Sequence, residues 1–342
     1  MHLKIASSLT GLSAGALFLL ATLPAAAQQA AIDTAQSTTT TQQLQKPLVT
    51  PGVVNGQVPL LYEGEAEDTG QQFVLQPKEA FKYFQFLGDF QLYRTNNPTL
   101  APANKVASDV NVLTLQVVAQ TEATEWFDGF QGQARAGLRF QDYWYGVLSG
   151  RNQIINGAPI KLSDFTTISP YVEASIRNDE YYGSLGLRYS SYDNDNAVAK
   201  GTFYQEYVPY LTAGYQWNLA DKKTLQFQYD GDYRKTTTAT AGLLPSGWND
   251  RADNALSLIY SYIVGEHWVF QPSYRLMWSR YTNDQRSRSD IYNTFSFLVA
   301  YYFNEAVSAR AFTSYEWRSS SETGNNYQSW NVGVGFSINA AF

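Results

Sequence analysis

The sequence predicts an all-β protein, a transmembrane antiparallel up-and-down β-barrel of about twelve strands with an extended N-terminal segment. Three observations carry this prediction. Apolar and polar residues alternate along most of residues 81–342, short and long connections alternate between the strands, and 15% of the chain is aromatic while only 16% is charged. Membrane-barrel strands are apolar on one face only, which explains why the mean hydropathy of so aromatic a chain is negative.

The clearest alternation lies in the last stretch, residues 329–342. Every second residue is apolar, from Trp330 through Phe336 to Phe342, and the residues between them are polar or small. Period-two alternation indicates a strand with two different faces. The strand is much longer than the ~5–6 residues typical of soluble sheets and long enough for the ~9–11 that cross a bilayer.

This last strand resembles the C-terminal targeting pattern of bacterial outer-membrane barrel proteins. The matching residues are Asn331, Gly333, Phe336 and Ile338, and the chain ends on Phe342. The match lies four residues before the end, and alignment on Phe342 places Ser337 where glycine is expected. The resemblance implies recognition by the outer-membrane insertion machinery, and location among outer-membrane lipid and lipopolysaccharide. The alternative is an ordinary closing strand of a soluble barrel.

The chain divides into three segments. Residues 1–27 predict a cleaved signal peptide, with Lys4 before an apolar stretch and Ala25-Ala26-Ala27 as the cleavage site. Residues 28–80 are rich in Gln, Ala and Thr, then in proline and acidic residues, and predict an extended periplasmic segment. A plug folded into the lumen is the alternative for this segment. Residues 81–342 form the predicted barrel.

Twelve candidate strands follow from residue 81 onwards. They are 81–93, 108–120, 129–146, 166–177, 181–192, 205–219, 223–236, 253–263, 267–281, 289–303, 306–319 and 327–342. Short links such as 220–222 alternate with long ones such as 237–252, as in barrels with short periplasmic turns and long outer loops. The first inner link, 121–128, is longer than the others. Asn156-Gly157 predicts a hairpin tip within the second outer loop.

Tryptophans mark the two predicted membrane interfaces. Trp268 and Trp278 lie on one face of one strand, ten residues apart. At ~3.3 Å per residue and a tilt of ~40° they are separated by ~25 Å along the membrane normal, the height of an apolar band. Trp217 lies at a predicted inner end, and Trp317 and Trp330 lie at outer ends. Indole rings suit such girdles because they are partly apolar and partly hydrogen-bonding.

The alternation points charged residues into the lumen, because each Arg on the lipid side near mid-membrane would cost ~2–4 kcal/mol. The inward arginines are Arg135, Arg139, Arg177, Arg188, Arg234, Arg275, Arg310 and Arg318. The inward carboxylates are Asp89, Glu173, Asp230, Asp232 and Glu316. Either unpaired arginines line a narrow water path that favours anionic solutes, or arginines and carboxylates pair across a closed lumen. Small outer-membrane channels for acidic sugars are similar in strand number and Arg-rich lumen.

These features predict a narrow, porin-like channel for small solutes, anions among them, through an Arg-rich lumen. The alternative is a non-conducting surface barrel or an accessory barrel in exopolysaccharide export. No enzyme is predicted, because His267 lies at an inner turn, away from the outer edge where barrel enzymes need a histidine. No cofactor or metal is predicted either, since the chain has no cysteine and Asp193-Asn194-Asp195-Asn196 lacks calcium-loop spacing. The net charge of −6 argues against a nucleic-acid partner.

Overall fold

The structure is a computed structural model. It describes residues 28–42, 44, 81–100, 105, 107–149, 152–155, 158–161, 164–194, 200–238, 244–283 and 287–342. The predicted signal peptide and residues 45–80 lie outside the described residues.

Fifteen strands follow one another in this part of the chain. They are β1 (Phe84–Thr95), β2 (Ser108–Gln120), β3 (Thr124–Phe127), β4 (Phe130–Tyr145), β5 (Asn152–Ile155), β6 (Ala158–Lys161), β7 (Phe165–Arg177), β8 (Tyr181–Asn194), β9 (Gly201–Ala220), β10 (Lys223–Thr237), β11 (Arg251–Val264), β12 (Trp268–Tyr281), β13 (Ser289–Tyr302), β14 (Val307–Ser320) and β15 (Tyr327–Ala341).

Twelve long strands pair antiparallel with their neighbours in chain order. β2 pairs with β4, and β15 pairs with β1, so the ring closes without an edge. The closure includes the chain end, because the Phe342 and Phe84 backbones exchange hydrogen bonds of 2.9 and 3.0 Å. The predicted twelve-strand antiparallel barrel is therefore confirmed, and a closed ring removes the unpaired strand edges that membranes do not tolerate.

Three short strands lie outside the ring. β3 forms a small hairpin with the start of β4, which explains why the first inner link is longer than the others. β5 and β6 pair within the second outer loop, as the turn signal at Asn156-Gly157 predicts, although the two tip residues themselves lie outside the described residues.

The barrel has its polar side inside and its apolar side outside. Val334 is 55% exposed and Leu185 is 63% exposed, whereas Gln271 and Glu206 are 0% and 1% exposed. A soluble protein buries its apolar residues, so this reversed burial suits a barrel whose outer face meets lipid. The exposed outward rows include large apolar and aromatic side chains on every long strand except β14.

The N-terminal segment differs from the extended conformation predicted for it. Residues 28–42 form a helix, and each of them is buried or half-buried. Asn249, in an outer loop, donates to Gln29 at 3.0 Å, and Gln271, three residues from the inner end of β12, donates to the Leu44 carbonyl at 2.6 Å. The helix therefore descends into the lumen from its outer mouth, so the prediction is corrected for residues 28–42. No helix in the described part of the chain is long and apolar enough to span a bilayer.

Candidate functional site

The candidate site is the cavity inside the barrel, which has a volume of about 600 Å³. Its wall extends from Gln85 and Asn339, near the inner ends of β1 and β15, to Arg318 and Tyr327 near the outer rim. The N-terminal helix contributes Asp33, Gln36 and Ser37 to the same wall. The helix therefore narrows the lumen and forms part of the cavity wall from Asp33 down to Gln42.

The cavity wall is rich in charge but balanced. Its arginines are Arg135, Arg139, Arg188, Arg234, Arg251, Arg275, Arg310 and Arg318. Its carboxylates are Asp33, Asp89, Glu173, Glu206, Asp230, Asp232, Glu305 and Glu316. The arginine excess expected from the alternation pattern is therefore not found in the cavity as a whole, and any preference for anions has to come from local arrangement.

Five residues near the outer rim form what we call the outer cluster, Glu206, Asp232, Arg234, Arg251 and Asp253. Arg234 lies 2.8 Å from Asp253, 3.2 Å from Asp232 and 3.3 Å from Glu206. Arg251 lies 2.9 Å from the same Asp253 and is 2% exposed. Buried charges need partners, and here both arginines have a carboxylate within 3.3 Å, although the three carboxylates outnumber the two arginines.

The helix is joined to the barrel by polar side chains on several strands. Thr38 shares a hydrogen bond of 3.1 Å with the Tyr93 hydroxyl, and Gln42 donates to Thr114 at 3.3 Å. The Asp33 carboxylate lies 3.0 Å from the Arg318 guanidinium. Among the described residues, this contact is the ion pair that joins the helix to the barrel. These contacts fix both the height and the rotation of the helix in the lumen.

One side of the helix packs on an aromatic surface in the outer half of the barrel. Ile32 and Ala35 are buried against a cluster that includes the rings listed here: Tyr93, Tyr143, Tyr145, Phe165, Tyr192, Phe203 and Tyr204. Tyr143 and Phe165 stack with their centroids 4.4 Å apart. The helix therefore has an apolar side on the rings and a polar side on the charged wall.

Below the helix, the side formed by β4, β7 and β8 has a different character. We call Arg135, Arg139, Glu173 and Arg188 the inner wall. Arg135 forms an ion pair with Glu173, which also accepts a 3.0 Å hydrogen bond from the Tyr210 hydroxyl. Tyr171, Tyr182 and Tyr210 lie over glycines of the adjacent strands, because a Cβ at each of those glycines would meet the ring.

Two arginines of the inner wall form no ion pair in the part of the chain that the structure describes, although Glu206 and Asp232 of the outer cluster attract Arg188 at longer range. Arg139 donates from Nε to the Gln116 side chain at 3.3 Å, and Arg188 makes neither an ion pair nor a hydrogen bond there. Arg139 faces Ser169 across β4 and β7, and Arg188 faces Tyr171 across β7 and β8. With strands ~4.8 Å apart, their Cα atoms are separated by roughly 10–12 Å, within joint reach of one solute.

The other predicted lumen residues are paired. Arg310 holds Asp89 with two hydrogen bonds of 2.6 and 2.9 Å, and Arg275 forms an ion pair with Asp230. Glu316 accepts a 2.7 Å hydrogen bond from Ser37 of the helix. Arg177 is exposed at the inner end of β7 and does not line the cavity.

The predicted interface residues lie on the outward face. Trp217, Trp268, Trp278 and Trp330 are 40–49% exposed, and Trp317 is half-buried beside Tyr315 at 5.4 Å. Phe336, Ile338 and Phe342 point outwards, whereas Asn331 is buried on the inner face. His267 lies at the inner turn, with its ring 5.4 Å from the ring of Tyr301.

Four charged residues that matter in the lumen escaped the sequence reading: Asp33, Glu206, Arg251 and Asp253. Glu206 alternates with the outward Tyr207 and was detectable from that pattern. Arg251 and Asp253 lie at the start of β11, where the predicted strand boundary begins two residues late. Asp33 carries no local signal, because its role depends on a helix placed by tertiary contacts.

The comparisons with known proteins concern the fold. The sequence matches no protein-family model and no curated protein sequence. Solved structures similar to this chain include the β domain of the Bordetella autotransporter Brka, with 14% identity, 75% of this chain and 99% of that chain covered, and a TM-score of 0.45. The COG4313 outer membrane channel from Pseudomonas putida F1 has 12% identity, with 76% of this chain and 96% of that chain covered, and a TM-score of 0.49.

A third similar structure is the KdgM porin in complex with disordered oligogalacturonate, with 14% identity, 73% of this chain and 98% of that chain covered, and a TM-score of 0.34. The barrel architecture itself rests on the closed ring of twelve strands in this chain. With identities of 14% or less, the resemblance concerns the barrel fold alone.

Proposed function

We propose that this chain is an outer-membrane β-barrel that acts as a narrow channel for small anionic solutes. The observation that carries the proposal is the pair Arg139 and Arg188, which face the cavity without an ion pair in the described part of the chain. Like charges held close together in a poorly hydrated lumen are costly, and a passing anion offsets that cost. The balanced remainder of the wall supports a local site rather than a uniformly positive pore.

The test is conductance in a planar bilayer across a salt gradient, with the chain from residue 28 onwards. The reversal potential should show anion preference, and the double variant Arg139→Gln/Arg188→Gln should lower that preference severalfold. Arg177→Gln serves as the matched control, because Arg177 is exposed outside the cavity. Unchanged selectivity in the double variant would contradict the proposal.

The helix gives the alternative function a specific basis. Because residues 28–42 occupy the outer lumen, the barrel also suits a non-conducting role at the surface or in exopolysaccharide export. Deletion of residues 28–44 decides between the two. A channel should then conduct more than the full chain, whereas a barrel that stays silent without its helix supports the non-conducting role.

We also propose the membrane partners of the barrel. The outward apolar rows suit outer-membrane lipid and lipopolysaccharide, and the aromatic residues at both ends suit the interfaces. Asn331, Gly333, Phe336, Ile338 and Phe342 are proposed as the signal read by the insertion machinery. Replacement of Phe336 and Phe342 by alanine should slow assembly in cells, measured by the heat-dependent gel shift of folded barrels.

A further inference from the structure

We infer that the outer half of the lumen is a binding site for a small hydroxylated carboxylate, and that Asp33 of the helix occupies it here as a tethered carboxylate. The inference deepens the proposed function by naming a ligand class and a second site. It rests on the proposed function in one respect, that the ligand reaches the site through the channel.

The centre of this site is Arg318 of β14, whose side chain is 4% exposed. Its Nε donates to the Asn325 carbonyl at 2.5 Å. Its guanidinium lies 4.6 Å from the ring centre of Tyr327 and 5.6 Å from that of Tyr292. Barrel residues thus hold the group in place, and Nη1 points at the Asp33 carboxylate, 3.0 Å away. A fixed guanidinium with a free donor edge is a preorganised receptor for a carboxylate.

Two neighbouring groups supply hydrogen bonds that suit hydroxyls. Arg251 donates from Nη2 to the Gln36 amide oxygen at 2.7 Å, and Glu316 accepts from the Ser37 hydroxyl at 2.7 Å. Arg251 Nη1 and Glu316 Oε1 are buried and lack any partner among the described residues. Buried polar atoms are normally satisfied, so the helix meets only part of what this wall offers.

The donor and acceptor pattern defines the ligand class. A carboxylate replaces Asp33 on Arg318, and hydroxyls both accept from Arg251 and donate to Glu316. A purely apolar carboxylate would leave those two residues unsatisfied, as the helix does in part. A carboxylate carrying several hydroxyls therefore fits the wall better than the helix itself.

The helix competes with such a ligand instead of excluding it permanently. It is held by one described ion pair, by hydrogen bonds that include those of Gln36 to Arg251 and of Ser37 to Glu316, and by the small apolar area of Ile32 and Ala35. The apparent affinity of a free ligand falls by the fraction of molecules whose site is vacant. Weakening the Asp33 contact should therefore raise that affinity by about tenfold, the difference between a charged and a neutral hydrogen bond.

The experiment measures binding of gluconate, a hydroxylated carboxylate, to the full chain from residue 28 in detergent, by titration calorimetry. Asp33→Asn should bind gluconate about tenfold more tightly than the wild type, and Asp33→Asn/Arg318→Gln should lose at least tenfold relative to Asp33→Asn. Asp179→Asn is the matched control, because Asp179 is exposed at the inner turn between β7 and β8. Equal affinity of Asp33→Asn and wild type would overturn the inference.

Two further measurements test the role of the Arg318 guanidinium and the role of the ligand hydroxyls separately. Arg318→Lys keeps the positive charge, so in the Asp33→Asn background it should bind severalfold more weakly while the barrel stays folded by gel shift; undiminished binding would overturn the role of the Arg318 fork. Hexanoate, a carboxylate of similar length without hydroxyls, should bind at least tenfold more weakly than gluconate, and equal binding would overturn the hydroxyl assignment.

Failure of this site and failure of the channel are distinguishable. Gluconate binding by Asp33→Asn in a barrel that never conducts would support the site and end the channel proposal. Anion-selective conductance without gluconate binding would overturn the site and leave the channel proposal standing.

Discussion

The outer cluster and the inner wall contain the same kinds of side chain but satisfy them differently. In the outer cluster, Arg234 contacts three carboxylates and Arg251 shares one of them. In the inner wall, Arg135 forms an ion pair with Glu173, while Arg139 and Arg188 form no ion pair within the described residues. Buried charges whose partners lie within the protein hold the structure together, whereas arginines without an ion pair can still bind a solute. The contrast therefore separates a structural region from a functional one.

The largest expected effect comes from breaking the outer cluster. Asp253→Ala removes the carboxylate of Arg251 and one partner of Arg234, leaving a buried guanidinium without charge compensation. The free energy of unfolding in lipid vesicles should fall by about 3–5 kcal/mol. Asp179→Ala, exposed at an inner turn, should change it by less than about 0.5 kcal/mol. A loss below about 1 kcal/mol for Asp253→Ala would remove the structural role of the cluster.

The next effect compares a paired arginine with an unpaired one. Arg310→Gln breaks the two-bond contact with Asp89 and should cost about 3 kcal/mol of unfolding free energy, since it leaves a half-buried carboxylate unpaired. Arg188→Gln breaks no described ion pair or hydrogen bond, only the longer-range attraction to Glu206 and Asp232, so it should cost less than about 1 kcal/mol. Urea titration of both variants checks this. Equal losses would mean that Arg188 is a structural residue.

A smaller effect tests the packing of tyrosine over glycine near the inner wall. Gly214 faces Tyr182 across β8 and β9, and a Cβ there would meet the Tyr182 ring. Gly214→Ala should therefore cost about 1–3 kcal/mol of unfolding free energy by overpacking. Gly324→Ala is the control, because nothing lies within 4 Å of a Cβ at that position. In the Tyr182→Ala background the same Gly214→Ala change should cost much less unfolding free energy, because the ring that the new Cβ would meet is absent.

The smallest effect concerns the helix above the inner wall. Tyr93→Phe removes the buried hydrogen bond to Thr38, worth about 1 kcal/mol of helix docking, and should leave barrel unfolding nearly unchanged. The chain has no cysteine, so Ala35→Cys provides one buried thiol in the helix. Its labelling rate should rise about fivefold with Tyr93→Phe. An unchanged rate would show that this contact does not limit helix release.

The strand pattern could be read from the chain because sidedness is a local property. The alternation in 223–236 and 306–319 predicts both the strands and which of their residues face inwards, and the cavity wall includes Asp230, Arg310 and Glu316. Strand ends were less readable. Arg251 lies two residues before the predicted start of its strand and Asp253 is the first residue of that strand, so the pattern predicts neither of these members of the outer cluster.

Charge pairing could not be read in the same way. Arg139 and Arg310 look alike in the sequence, since both alternate with apolar neighbours on long strands. Only the register shows that Arg310 comes near Asp89, which is 221 residues away, while Arg139 comes near Gln116. A side chain's partner depends on which strands meet and at what stagger.

By itself the sequence determined the number of strands, their order and the face that each presents to lipid, because period-two patterning acts within each strand. Only the tertiary structure decided what fills the lumen. Residues 38–41 are a threonine run with low helix propensity, yet they are helical in the barrel. The helix is stabilised by partners far along the chain. Thr38 shares a hydrogen bond with Tyr93, and Asp33 pairs with Arg318, which is 285 residues away.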